Sequence, residues 1–175
     1  MLPFKKWLAE ADYMDDDSGH WASDSGEASG VLTISRKSGR ICLGWRNVMT
    51  HTGDCWGVFG GAVQDGKSPA ESAKSELREE TGYSGKVKMF PAYVFKDGAF
   101  KYFNFVGLVD YDFQYRPSKD HSWEIDKIRW FTYPEVLKEM REKPNTFHPG
   151  VITLFEESKE LIEKTLQDLA DSTRP

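Results

Sequence analysis

An α+β fold, a mixed β-sheet flanked by helices, is the architecture that this sequence predicts. Three observations carry it. Short apolar runs lie on both sides of residues 60–83, from Gly30 to Trp45 and from Lys86 to Phe131, as strands do. Between them, residues 68–82 carry helix signals at both ends. The chain then finishes in apolar residues at helical spacing, Leu154, Leu161, Ile162, Leu166 and Leu169. Strands, one helix, strands and then helices is the order of a sheet with helices packed on it.

Taken in order, residues 1–29 are polar and acidic and include Asp15-Asp16-Asp17-Ser18-Gly19. That run lacks the D-x-D-x-D-G spacing of a calcium loop, so it reads as a solvated loop within an extension packed on the domain. Residues 30–175 read as the single domain. GVLTIS and ICLGW are strands on either side of the turn RKSGR, and DCWGVF is a short apolar piece running into Gly60-Gly61. Ser68 is the expected N-cap, with Pro69 in the first helical position and Glu71 completing a capping box. Gly82 is placed to end that helix in a left-handed conformation. KVKMFPAYVF and AFKYFNFVGLV form a hairpin around Asp97-Gly98. KIRWFTY is a further strand, YPEVLKEMREK a short helix, and the segment from Gly150 onward a long terminal helix.

Composition limits the function. At 175 residues, with 39% apolar and 29% charged residues, the chain is long enough to bury a core as one domain. Its net charge of −5 disfavours coating a nucleic-acid polymer, while a small anionic ligand remains open because bound cations supply local positive charge. Cys42 and Cys55 form no C-x-x-C pair and read as free thiols of a reducing compartment. No apolar run approaches the roughly 20 residues of a membrane span, and the first residues lack a signal-peptide core. Together these make the cytoplasm the expected location.

The chemistry gathers in GGAVQDGKSPAESAKSELREETGY, residues 60–83. At about 100° per residue, Glu76, Glu79 and Glu80 share one helix face, bordering the apolar stripe of Ala70, Ala73 and Leu77. Carboxylates this close repel one another. A protein resolves that by protonating one, pairing them with cations or binding metal. Hard oxygen ligands on a rigid helix suit Mg²⁺ or Mn²⁺, and the Gly60-Gly61 turn lets backbone approach a ligand and offers a carbonyl.

This stretch resembles a Nudix box, G-x5-E-x7-R-E-U-x-E-E-x-G-U with U a bulky apolar residue. Gly61, Glu76, Leu77, Glu79, Glu80, Gly82 and, more loosely, Tyr83 match it. WGVFGG is similar to the family's W-x-x-P-G-G, with Phe59 in place of proline, and EIDKIRWF resembles a later strand, with Glu124 six residues before Trp130. The resemblance covers roughly residues 30–135. It implies an α/β/α sandwich, with the box helix and a long C-terminal helix flanking the sheet. It also implies hydrolysis of a nucleoside diphosphate linked to a further group, using Mg²⁺ or Mn²⁺ held by Glu76, Glu79, Glu80 and the Gly61 carbonyl. By the same resemblance Glu76 and Glu79 are catalytic, and Glu124 is an extra ligand or base. Arg46 follows a strand toward the site and is a candidate phosphate contact. Trp45 and Tyr93 are candidates to stack on a base, with core packing the competing reading. The four histidines form no metal-type pair and read as ordinary.

Two positions depart from the box. Lys67 stands where the family has Glu, and Ser75 where it has Arg. That arginine resembles a clamp on the glutamates. Its absence should raise the carboxylates' pKa values and loosen their geometry, weakening or altering catalysis. Lys74 points to the far side of the helix, whereas Lys67 lies on the loop from which it could reach in.

The expected substrate is a small nucleotide: a nucleoside triphosphate, a nucleotide sugar or a dinucleotide. No polymeric nucleic acid and no membrane are expected as partners, and a homodimer through the aromatic hairpin is open. The segments that mark the NADH, diadenosine and ADP-ribose branches have no clean match. The competing reading is a weak or inactive domain that binds a nucleotide as a sensor, for which Lys67 and Ser75 speak. An isoprenoid diphosphate isomerase, invited by Cys55, lacks its histidine-rich site here.

Overall fold

The computed structural model describes residues 26–50 and 52–172. Strand β1 (Glu27–Ser35) is buried along nearly its whole length. It is rich in small and apolar residues because neighbours lie on both its faces and both its sides. Strand β2 (Ile41–Arg46) pairs antiparallel with it at Thr33↔Cys42 and Ile34↔Ile41. Strands β3 (Cys55–Gly57) and β4 (Phe59–Ala62) follow, and β4 pairs antiparallel with β1 from Ala28↔Ala62 to Val31↔Phe59. The hairpin β5 (Val87–Asp97) and β6 (Phe100–Val109) adds the other side, with β6 parallel to β1 from Glu27↔Lys101 to Ser35↔Val109. Strand β7 (Ile125–Phe131) pairs antiparallel with β2. The mixed sheet runs β3-β2-β1-β6-β5, with β4 on β1 and β7 on β2.

Helices cover both faces. Helix α1 (Pro69–Thr81) lies against β1, β4 and β6. Its Ala73 and Leu77 share a core with Val31, Cys42, Phe59 and Phe105. On the other face α2 (Tyr133–Glu142), α3 (Pro149–Glu157) and α4 (Lys159–Ser172) bury Val136, Leu154 and Ile162 against Leu32, Ile34, Leu43 and Phe131. The expected α/β/α sandwich is therefore present. Among the described residues no helix is long and apolar enough to cross a membrane.

Local differences from the sequence reading have physical causes. Strand β1 begins at Glu27 rather than Gly30, because Ala28 and Ser29 are held between β4 and β6 although neither is a strong strand former. The packing expected for the acidic extension falls on residues 1–25, outside the described residues. The piece DCWGVF is two strands: Cys55–Gly57 pairs with β2, and from Phe59 the chain pairs with β1. In the hairpin Asp97 already pairs with Phe100, so the two-residue loop is Gly98-Ala99. The long terminal helix is interrupted at Ser158, whose buried hydroxyl accepts from the Tyr93 backbone N–H at 3.1 Å. That bond ties the helix break to edge strand β5.

Candidate active site

Alternation along β2 decides which side chains reach the box helix. Ile41, Leu43 and Trp45 pack in the α2–α4 layer, while Cys42 packs under α1. Trp45 is thereby committed to core packing, edge-on to Trp56 at 5.0 Å between ring centroids. Tyr93 sits beside the α3–α4 junction. Neither belongs to the carboxylate face. Arg46, next along β2, turns to the α1 side. Its stem lies against Gly57, where an added Cβ would meet Arg46 Cδ at 2.8 Å, and its Nε donates to the Thr52 carbonyl at 3.3 Å.

The capping box forms as its residues dictate. The Glu71 N–H donates to Ser68 Oγ, and the Ser68 N–H donates to Glu71 Oε2 at 2.9 Å. The helix thus enters at a fixed angle, and its acidic face meets Gly60 and Gly61, which lie within β4 rather than in the turn the sequence suggests. Glu80 is 1% exposed and accepts from the Gly60 N–H at 2.9 Å. Burial, then the charges of Glu76 and Glu124, push its carboxyl well above the usual range, against the pull of Arg46 and the Gly60 amide. Glu76 lies over Gly61, where an added Cβ would meet its Cδ at 2.9 Å. Its carboxyl is raised too, by burial first and then by Glu79 and Glu124.

Glu124 reaches this group from outside the helix. Its carbonyl accepts from the Asn47 N–H at 2.9 Å, just beyond the Arg46↔Ile125 pair of β2 and β7. The loop before it crosses the end of α1, with Arg116 N–H donating to the Thr81 carbonyl at 2.9 Å. Two residues that sequence reasoning missed complete the site. His121 lies between two carboxylates, Nδ1 at 3.1 Å from Glu124 and Nε2 at 3.5 Å from Glu79. The reading of this histidine as ordinary is corrected by that contact; its only local signal was the i,i+3 spacing to Glu124. Gln64, in the loop before α1, turns its Nε2 toward Glu76 Oε1 at 3.4 Å.

The donor set is carboxylate oxygen, which suits a hard divalent cation, and burying mutually repelling acids favours a cation among them. The side chains fit such an ion in chemistry. In position they are spread: among the described residues no three His, Cys, Asp or Glu side chains converge in ligating geometry. Glu80 is turned to the Gly60 amide and Glu79 to His121. Cys55 offers no competing chemistry. Burial pushes its thiol up to about 11, and it donates to the Thr52 carbonyl at 3.2 Å.

A family model described as the NUDIX domain matches residues 24–152. The chain belongs to the NUDIX family. As a Nudix hydrolase it acts on phosphoric anhydride bonds, in this family generally those of a nucleoside diphosphate linked to a further group. Solved structures share the fold at low identity. A Nudix hydrolase from M. smegmatis, RenU, is 17% identical, with TM-score 0.59, covering 87% of this chain and 96% of that one. A MutT protein from Methanosarcina mazei Go1 is 20% identical, with TM-score 0.57, covering 79% and 93%. An Ap4A hydrolase from C. elegans is 16% identical, with TM-score 0.56, covering 82% and 98%. No curated protein matches the chain.

Proposed function

We propose that this chain is a Mg²⁺- or Mn²⁺-dependent pyrophosphohydrolase that cleaves a nucleoside diphosphate linked to a further group. The observation that carries this reading is the gathering of Glu76, Glu79 and Glu80 on α1 with Glu124 from the β6–β7 loop, Glu76 and Glu80 raised first by burial and then by the neighbouring carboxylates. Glu76, Glu79, Glu80 and the Gly61 carbonyl would hold the cation. When bound, it neutralises phosphoryl oxygens and lowers the pKa of a water molecule. Glu124 accepts a proton from the attacking water or adds a further oxygen ligand. Arg46 supplies positive charge for the diphosphate from the β2 side. The Gly60 amide orients Glu80, and His121 steadies Glu79 and Glu124.

The test is nucleotide release from nucleoside triphosphates, nucleotide sugars and dinucleotides, with Mg²⁺ and with Mn²⁺. The dinucleotides include Ap4A, for which the C. elegans neighbour is named. Cation-dependent turnover that disappears in Glu79→Gln is expected, and the compound cleaved names the substrate class. Absence of turnover on every compound, with nucleotide still bound, would favour the sensor reading that Lys67 and Ser75 invite.

A further inference from the structure

At the two positions where this chain leaves the Nudix box, its side chains touch each other. Lys67 Nζ donates to Ser75 Oγ at 3.0 Å and to Gln64 Oε1. The other end of the Gln64 amide, Nε2, reaches Glu76 Oε1 at 3.4 Å. The Gln64 backbone is fixed as well: its N–H donates to Ser72 Oγ at 3.0 Å, and its carbonyl accepts from the Lys67 N–H at 3.0 Å. We propose that Lys67 and Gln64 form a positioning relay for Glu76, supplying from the loop the cationic support that the box places on the helix at residue 75. The inference rests on the hydrolase reading above.

The chemistry of the two side chains makes the relay directional. A glutamine amide has an acceptor end and a donor end, whereas a lysine ammonium only donates. With Lys67 on Oε1, the amide is compelled to present N–H to Glu76. The reversed amide would set donor against ammonium and oxygen against carboxylate. Lys67 thereby acts on the Glu76 carboxylate through a neutral group and without entering the site. Ser75 matters by being small and by accepting: its hydroxyl holds the ammonium beside the helix where a longer cationic side chain would displace it.

The test uses the full chain. It reads the dissociation constant for Mn²⁺ alone together with kcat and KM on the substrate found above. Lys67→Met and Gln64→Leu are each expected to weaken Mn²⁺ binding and to lower kcat about tenfold, as loss of an outer-shell partner does. KM should stay within about twofold, since only the orientation of Glu76 is lost. Lys67→Arg keeps a donor and should retain both properties. The double variant Lys67→Glu with Ser75→Arg restores the box's own pair and should recover what Lys67→Glu alone loses. Wild-type behaviour of Lys67→Met and Gln64→Leu in an active enzyme overturns the relay alone, as does a double variant no better than Lys67→Glu. A wild-type chain with neither Mn²⁺ binding nor turnover overturns the hydrolase reading and the relay with it.

Discussion

Glu80 is 1% exposed and lies among other acids, so its ionised form is held against both desolvation and like charge. Glutamine has the same shape, keeps a carbonyl for the Gly60 N–H and removes the charge. Glu80→Gln should therefore stabilise the cation-free protein, while lowering kcat about a hundredfold or more through loss of a carboxylate that would hold the cation. Thermal unfolding in a chelator and steady-state rates check the two halves. A variant less stable than wild type would mean that the charged hydrogen bond to Gly60 outweighs the burial. Gly61 makes a complementary case. An alanine Cβ would stand 2.9 Å from Glu76 Cδ, so Gly61→Ala should fold normally yet displace that carboxylate and lose about a hundredfold in kcat. At this scale the sequence disclosed the site where residue types repeat at helical spacing: Glu76, Glu79 and Glu80. Glu124 enters as a candidate only through the family resemblance, and Arg46 through its place at the end of a strand. Gln64 stayed hidden, and His121 carried only its i,i+3 spacing to Glu124, because the contacts to Glu76 and Glu79 are set by how two loops fold over the helix.

Helix α1 was legible because its stop and start signals are local chemistry. Ser68 and Glu71 exchange hydrogen bonds across one turn, and Gly82 adopts φ +76° with no room for a side chain, an added Cβ falling 1.8 Å from the Arg116 carbonyl oxygen. The break at Ser158 was illegible for the opposite reason, since its partner is the Tyr93 amide on a distant strand. The division of residues 55–62 into β3 and β4 likewise depends on which neighbour each half pairs with. Ser68→Ala should cost about 1 kcal/mol. The pH dependence of the cap follows from Glu71, whose carboxyl is lowered from its ordinary value of 4.5 by the hydrogen bonds from Ser68. A group depressed in the folded chain stabilises it fully above the unfolded value, and the contribution is lost as pH falls through the folded value. The difference in unfolding midpoint between wild type and Glu71→Ala should therefore be largest near neutrality and shrink below 4.5. A difference that persists unchanged to about pH 3 would show that the carboxylate's charge is not what the cap uses.

Across the whole molecule, the sheet separates two apolar layers with different duties. Leu77 and Ala73 fix α1 to Phe59, Val31 and Phe105, so this layer sets the height and tilt of the carboxylate face. Leu154 and Ile162 fill the opposite layer against Leu32, Ile34 and Phe131, which supports the sheet without touching the acids. Both leucines are fully buried, and truncating either should cost about 2–5 kcal/mol. Their effects on catalysis should part company. Leu154→Ala, assayed well below its unfolding midpoint, should keep kcat within about twofold, because β1 and β4 still present Gly60 and Gly61 to an undisturbed helix. Leu77→Ala opens a cavity in the core that seats α1, and a shift of α1 by a fraction of its side-chain spacing should cost tenfold or more, about what a small misplacement of catalytic groups costs. Equal losses in the two variants, scaling with their midpoints, would instead mean that the site follows global stability and that the sheet does not insulate it from the far layer.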